Sequence, residues 1–359
     1  MRLSPDVLRT LPLVALHDHL DGGVRPATVL ELSDELGIDP PAADADAIAD
    51  WFHAAADSGS LPAYLSTFDR TLALMQRPED LRRIAREFVE DMTADGVVYA
   101  ETRWAPHQHT RAGLTLDEAV QAVQDGLDEG VAAAEQAGHR IVVGQLLCYL
   151  RHLEPSDDLV EIATARRGSG VLGLDLAGPE KGFPASRFAE VFAAARAAGL
   201  RVTIHAGEAD GPASIAAALD AGAERIGHGV HLVEDIAESG ALGPVAARVH
   251  RERIVLEVCP SSNLQTGVAD TIADHPVGLL HSHGMAIALS SDNRLMSRTG
   301  TARELALVVE ALDWGLDEVE AVVLTGLEAG FAPAAEREAL RDEVVLPAFR
   351  AAREAQAGD

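Results

Sequence analysis

Two histidines separated by one residue, His17 and His19, close an apolar run, and Asp21 follows them. Alternate side chains of a strand share a face, so both imidazoles aim at one point. Two imidazoles converging at the C-terminal end of a strand can ligate a divalent metal. Three further segments end apolar runs in the same way: Thr203-Ile204-His205-Ala206-Gly207-Glu208, Gly227-His228-Gly229-Val230-His231 and Ser290-Ser291-Asp292-Asn293. His17, His19, His205 and Asp292 offer three nitrogens and one oxygen, a set suited to zinc. Glu208 and His228 remain beside them as an acid and a base.

Such a set converges only if the chain brings the run ends together. Apolar runs at 12–19, 97–104, 141–150, 171–177, 202–206, 225–228, 254–259 and 286–291 alternate with Ala-, Leu- and Glu-rich stretches of helical period. Near-continuous apolarity marks strands buried on both faces, as in a parallel sheet covered by helices. Eight strand–helix units predict an α/β fold, a (β/α)8 TIM barrel, in which all the strand tips meet at one mouth. The interval after the first strand is too long for one connection. Helical patterns at 26–36, 63–75 and 78–94 predict a helical insertion over about 24–95, lying across the mouth. The segment 333–356 reads as a closing helix. No repeat or linker interrupts the pattern, so residues 1–359 read as a single domain.

Composition narrows the partners. The chain has 57 acidic and 29 basic residues, a formal charge of −28. Nucleic-acid binding needs a basic footprint, and docking on an anionic membrane needs basic residues too, so neither is expected. Hydrophobic residues make up 47% of the chain, ample for a core. Cys148 and Cys259 lie far apart in apolar runs and read as buried thiols, which suits a reducing compartment. The N-terminus lacks a basic-then-apolar leader pattern, and no apolar stretch reaches the roughly 18 residues of a membrane span. A cytoplasmic protein is the expectation.

The motifs HDHLDGG (17–23), YAETRWAP (99–106), GLDLAGPE (173–180), TIHAGE (203–208), RIGHGVH (225–231), LEVCPSSNLQTG (256–267) and SSDNRLMS (290–297) resemble the adenosine deaminase family of metal-dependent amidohydrolases. The resemblance spans nearly the whole chain. Relatives with two metals often bridge them by a carboxylated lysine. The one lysine here, Lys181, lies beyond the fourth strand, so a single zinc per chain is expected.

The resemblance implies hydrolytic deamination of adenosine and 2′-deoxyadenosine to inosine and deoxyinosine plus ammonia, a purine-salvage reaction. His17, His19, His205 and Asp292 would hold the zinc, and Asp292 would also stabilise the tetrahedral centre. Glu208 would bond to purine N1 and protonate it. His228 would orient the attacking water and help deprotonate it. Gly178 would approach the purine through its backbone, with His19 beside the substrate, and Asp21 would bind a ribose hydroxyl. Asn293 stands where many members have a second Asp, thought to donate to N7; an amide donates there with no protonation cost.

Two alternatives accompany this reading. One is a deaminase of another 6-aminopurine compound, aminodeoxyfutalosine or adenine. The other is a non-catalytic metal-stabilised binding protein, which loss of Glu208 or of a ligand would signal; none is lost. Asp21 favours a ribose over free adenine. AMP is disfavoured, because no Arg/Lys cluster accompanies the motifs and Asp21 would repel a 5′-phosphate. Of the remaining polar residues, Glu101 and Arg103 alternate on the second strand and read as a buried pair. His107 and His109 read as loop residues outside the metal set, Cys259 as packed, and Ser261, Ser262 and Asn263 as organisers of the turn after the seventh strand.

Overall fold

Eight parallel strands pair in chain order: β1 (Leu13–His19), β2 (Val97–Trp104), β3 (Val142–Leu150), β4 (Val171–Ala177), β5 (Arg201–Ala206), β6 (Arg225–His228), β7 (Val255–Val258) and β8 (Ile287–Leu289). The computed structural model describes residues 3–358. Beyond β8, a parallel bridge between Asp18 and Asp292 closes the ring. The Asp292 N–H donates to the His17 carbonyl at 2.9 Å, and the His19 N–H donates to the Asp292 carbonyl at 2.8 Å. The same backbone bonds that complete the (β/α)8 barrel therefore fix two proposed ligand positions against a third. Among the described residues, no helix is long and apolar enough to cross a membrane.

The strand bounds follow the apolar runs, and β6 has only the four residues the sequence offers. Its shortness has a local cause. Gly229 and His228 both adopt left-handed backbone conformations (φ 68° and 62°), which ends the strand.

Five helices fill the interval between β1 and β2: Pro26–Leu36, Ala45–Ala56, Leu61–Leu65, Phe68–Leu74 and Pro78–Ala94. Two differences from the sequence reading stand out. The helix Ala45–Ala56 was not expected; its run is rich in Ala and Asp, and the Asp44 side chain caps it by accepting from the Ala47 N–H. The single helix expected over 63–75 is two. The Ser66 and Thr67 hydroxyls bond back to the carbonyls of Ala63 and Tyr64 (both 2.7 Å), and such local bonds compete with helix continuation. The closing segment is likewise divided, with a wide turn at Arg341–Val345 between Ala334–Leu340 and Leu346–Gly358. Pro347 lacks an N–H and crowds the preceding turn, and widening that turn accommodates it.

Apolar side chains occupy most of the interior, but one ring of inward positions is charged. Glu101, Arg103, Asp175, Arg225 and Glu257 are all buried. Buried charges persist only when paired, and these pair with one another beneath the mouth.

Candidate active site

The tips of β1, β5, β6 and the segment after β8 bring His17, His19, His205, His228 and Asp292 together, all of them buried or nearly so. His17 Nε2 and His19 Nε2 each lie 3.4 Å from Asp292 Oδ1, and His19 Nε2 lies 3.2 Å from His205 Nε2. Donor atoms of His17, His19 and Asp292 fall within 4.8 Å of one another, as do those of His17, His205 and His228. Asp292 and His228 are both non-glycine residues in the left-handed region (φ 59° and 62°). Strain of that kind costs about 1–3 kcal/mol and persists where the surroundings over-determine the position.

A layer of carboxylates beneath aims the imidazoles. His17 Nδ1 lies 3.0 Å from Glu257 and His205 Nδ1 lies 3.1 Å from Asp175. Each Nδ1–H thus donates to a carboxylate, and each Nε2 lone pair points inward, the arrangement found behind metal-ligating histidines. Arg103 holds both carboxylates, at 2.7 Å from Glu257 and 3.2 Å from Asp175. Arg225 binds the other oxygen of Glu257 at 2.6 Å and also pairs with Glu101. Glu101 and Arg103 are therefore not the buried pair expected from their alternation. Each has a partner elsewhere, and Glu257 links the two arginines.

These residues fit a bound metal. His17 Nε2 is buried with no hydrogen-bond partner, and His17 groups with the Asp292 carboxylate and three further imidazoles, those of His19, His205 and His228. Burial lowers the pKa of His19 and His205, which keeps lone pairs available. Asp292 stays well below the usual carboxylate range: burial opposes its charge, but the neighbouring imidazoles of His17, His19 and His228 outweigh it.

Glu208 lies 3.8 Å from His228 Nε2. Burial, with Asp292 and Glu180 adding like charge, holds its pKa well above the ordinary value. That environment favours the protonated carboxyl, which can donate. The loop carrying it is clamped by Glu180. That buried carboxylate accepts the N–H groups of Gly207, Glu208, Ala209 and Asp210 at 2.6, 3.1, 2.7 and 3.0 Å.

A cavity of about 360 Å³ opens beside this cluster, lined by His19, Asp21, Phe68, Gln108, His152 and Gly178 among others, with no Arg or Lys in its wall. Burial raises the Asp21 carboxyl to about 7, and its Oδ1 has no partner. Gly178 is left-handed (φ 96°), so its backbone faces the cavity in a conformation that other residues rarely adopt. Asn293 is buried behind Gly22 and does not line the cavity. A Cβ at Gly22 would come within 1.8 Å of its side-chain oxygen. His109 is buried, with Nδ1 2.9 Å from the Met75 carbonyl and Nε2 3.9 Å from Asp21.

Four buried residues at this site escaped the sequence reading: Asp175, Glu257, Glu180 and His275. For the first two a signal existed. A carboxylate inside a near-continuous apolar strand must have a buried partner. Glu180 grips the backbone of a distant loop and His275 bonds the side chain of Asn263, and no spacing announces either.

The model of the family described as adenosine deaminase matches residues 12–347. Adenosine deaminase 1 of Streptomyces coelicolor is 47% identical over 352 residues, covering 96% of this chain and 89% of that protein. An amidohydrolase from Burkholderia ambifaria, solved with bound Zn, superposes with a TM-score of 0.87 at 25% identity, covering all of this chain and 96% of the other. The Arabidopsis N6-mAMP deaminase superposes with a TM-score of 0.80 at 28% identity, covering 94% and 98%.

Proposed function

This chain belongs to the adenosine deaminase family, an aminohydrolase family with a metal cofactor, and we propose that one zinc per chain is held by His17, His19, His205 and Asp292. The observation that carries the proposal is the inward Nε2 of His17, buried without a partner and backed at Nδ1 by Glu257. When bound, such an ion acidifies a water to a pKa of roughly 7 and makes it nucleophilic at neutral pH.

The chain's own residues supply the rest. Protonated Glu208 donates to purine N1, which localises the ring π-system and makes C6 electrophilic. Water adds at C6, and the C6–N6 bond breaks with release of ammonia, leaving the 6-oxopurine. Asp292 and His228 flank the tetrahedral carbon. The Gly178 backbone and His19 border the base, and Asp21 accepts from a ribose hydroxyl through its unpartnered oxygen; the Asn293 amide, which lies behind Gly22 outside the cavity wall, would have to reach past that glycine to serve N7. The chain acts as one hydrolase domain, in purine salvage in the cytoplasm.

The cavity wall refines the substrate to a nucleoside. The Arabidopsis relative acts, by its name, on a nucleotide, whereas among the described residues no Arg or Lys lines this cavity and Asp21 does. A phosphate dianion placed there lacks a counter-charge, and an uncompensated buried charge costs several kcal/mol. Turnover of adenosine, deoxyadenosine, AMP, adenine and aminodeoxyfutalosine, followed by ultraviolet absorbance, tests this. Adenosine and deoxyadenosine are expected to lead, with kcat/KM for AMP lower by more than about a hundredfold. Comparable turnover of AMP would overturn the nucleoside reading.

A further inference from the structure

We infer that Asn263 and His275 are positioning residues that lock the tautomer of His228, so that its imidazole faces the reacting centre as an N–H donor and not as a base. The Val277 backbone N–H can only donate, and it lies 3.0 Å from His275 Nδ1. His275 Nδ1 therefore carries a lone pair. His275 is buried at 3% exposure, and burial lowers its pKa to about 4, so it is neutral and bears its proton on Nε2.

His275 Nε2 lies 3.2 Å from Asn263 Oδ1, and donates to it. That bond settles which way the Asn263 amide points. Its NH2 group then faces His228 Nδ1, also at 3.2 Å. An amide NH2 has donors and no acceptor. His228 Nδ1 must accept, and the single proton of its neutral ring sits on Nε2, the nitrogen that faces Glu208.

The consequence is chemical. An N–H at this position stabilises oxygen charge developing at C6, but it cannot take the proton of the attacking water. The carboxylates remain as acceptors: Asp292, and Glu208 once it has protonated N1. The arrangement differs from that of His17 and His205, whose Nδ1 atoms face carboxylates and whose Nε2 lone pairs point inward. The barrel thus aims imidazoles of opposite polarity at one centre, carboxylates behind the acceptors and an amide behind the donor. Asn263 is fully buried in the turn Pro260–Gln265, so the lock is enclosed by the fold.

The kinetic consequence rests on the function proposed above, but the tautomer is a property of the folded chain and is read without turnover. Long-range 1H–15N spectra of the metal-loaded enzyme, with 15N-histidine and the His228 signals assigned by their loss in His228→Gln, report which ring nitrogen is protonated. The expected result is protonated Nε2 and bare Nδ1; the reverse overturns the inference. Asn263→Asp replaces the donor by an acceptor of the same shape. It should move the proton to Nδ1 and lower kcat by roughly 10²–10⁴-fold with KM little changed, as a wrongly held tautomer does in a serine protease. Should Asn263→Asp not fold, the His275 pair decides. His275→Gln keeps a donor toward Asn263 and should retain both tautomer and turnover, whereas His275→Leu frees the amide to rotate and should give mixed tautomers. Equal tautomer spectra in Gln and Leu variants would remove His275 from the lock.

Discussion

The carboxylate of Glu180 grips the peptide N–H of Glu208, together with the three amides around it. One acid residue at the end of the β4 motif thereby fixes the loop that carries the proposed proton donor, Glu208. The like charge of Glu180 also helps to keep the Glu208 carboxyl protonated. Glu180→Gln leaves one oxygen to serve four donors and turns an NH2 group toward the rest. A buried unsatisfied donor costs roughly 1–3 kcal/mol, so kcat/KM should fall by about tenfold or more. Metal content, measured by atomic emission, should stay at the parent value. Glu180→Asp, still a carboxylate but shorter, should fall between. Unchanged turnover in Glu180→Gln would mean that the clamp does not position Glu208.

Glu208→Gln separates chemistry from folding. The amide fills the same buried space but cannot protonate N1. A positioned acid contributes roughly 10²–10⁴-fold, and the variant should lose that much turnover while keeping metal and thermal midpoint. The pH profile has a sign. The proposed mechanism needs the protonated form, and burial raises the Glu208 pKa. Activity in the parent should therefore hold through the ordinary range of a glutamate and decline only as pH rises through the raised value.

Much of this site is legible in the sequence. The HxH spacing, the HxxE run and the terminal Asp sit at the ends of strands one, five and eight, and the barrel brings them to one mouth because parallel strands end on the same side. What was not legible is polarity. His17, His205 and His228 look alike in the chain, yet Glu257, Asp175 and Asn263 make acceptors of the first two and a donor of the third. Those partners come from other strands and from the turn after β7, so the proton positions are set by tertiary contacts. The helix Ala45–Ala56 was missed for a related reason: Asp and Ala alternate in its sequence, and its buried face is set by Ile48, Ala49, Phe52 and Ala56 only once the chain is folded.

Removing the metal should cost stability as well as turnover. A ligand that binds only the folded chain stabilises by RT ln(1 + [L]/Kd), about 4 kcal/mol at a thousandfold excess over Kd. Chelation should lower the unfolding midpoint, and added Zn²⁺ should restore it. His205→Ala should abolish both the metal and the chelator response, because its Nε2 lies 3.2 Å from that of His19 and its loss leaves three of the four proposed ligands. Two metals per chain, or an unfolding midpoint indifferent to chelation, would contradict the proposed single-zinc site.

Acid should destabilise the fold through His109. Burial lowers its pKa from 6.5 to about 4, since the protonated ring would lose its hydration there, and the nearby Arg111 adds like charge. The unfolded chain takes up the proton first, so the contribution is full above pH 6.5 and is lost as pH falls toward 4. A shift of that size corresponds to about 3 kcal/mol across the window. His109→Asn keeps a donor for the Met75 carbonyl and removes the titration. Its unfolding free energy, measured by urea melts between pH 7 and pH 4.5, should depend less on pH than the parent's. An equal slope would place the acid sensitivity elsewhere.

Asn293 tests how the base is read. Its side-chain oxygen rests against Gly22 without a hydrogen-bond partner, and the close approach leaves no room for a Cβ there. If the amide donates to purine N7, 7-deazaadenosine presents a C–H to a donor that then goes unpaired. An unsatisfied buried donor costs roughly 1–3 kcal/mol, or about 5–150-fold in affinity. The competitive inhibition constant of 7-deazaadenosine against adenosine measures it. Gly22→Ala should act at the same place from the other side, because the new methyl must push the amide from its position. It should weaken discrimination between the two nucleosides while leaving the metal ligands untouched. Binding of 7-deazaadenosine as tight as that of adenosine would make Asn293 a support for Gly22 and the following turn, and base selectivity would then rest on Glu208 and the Gly178 backbone.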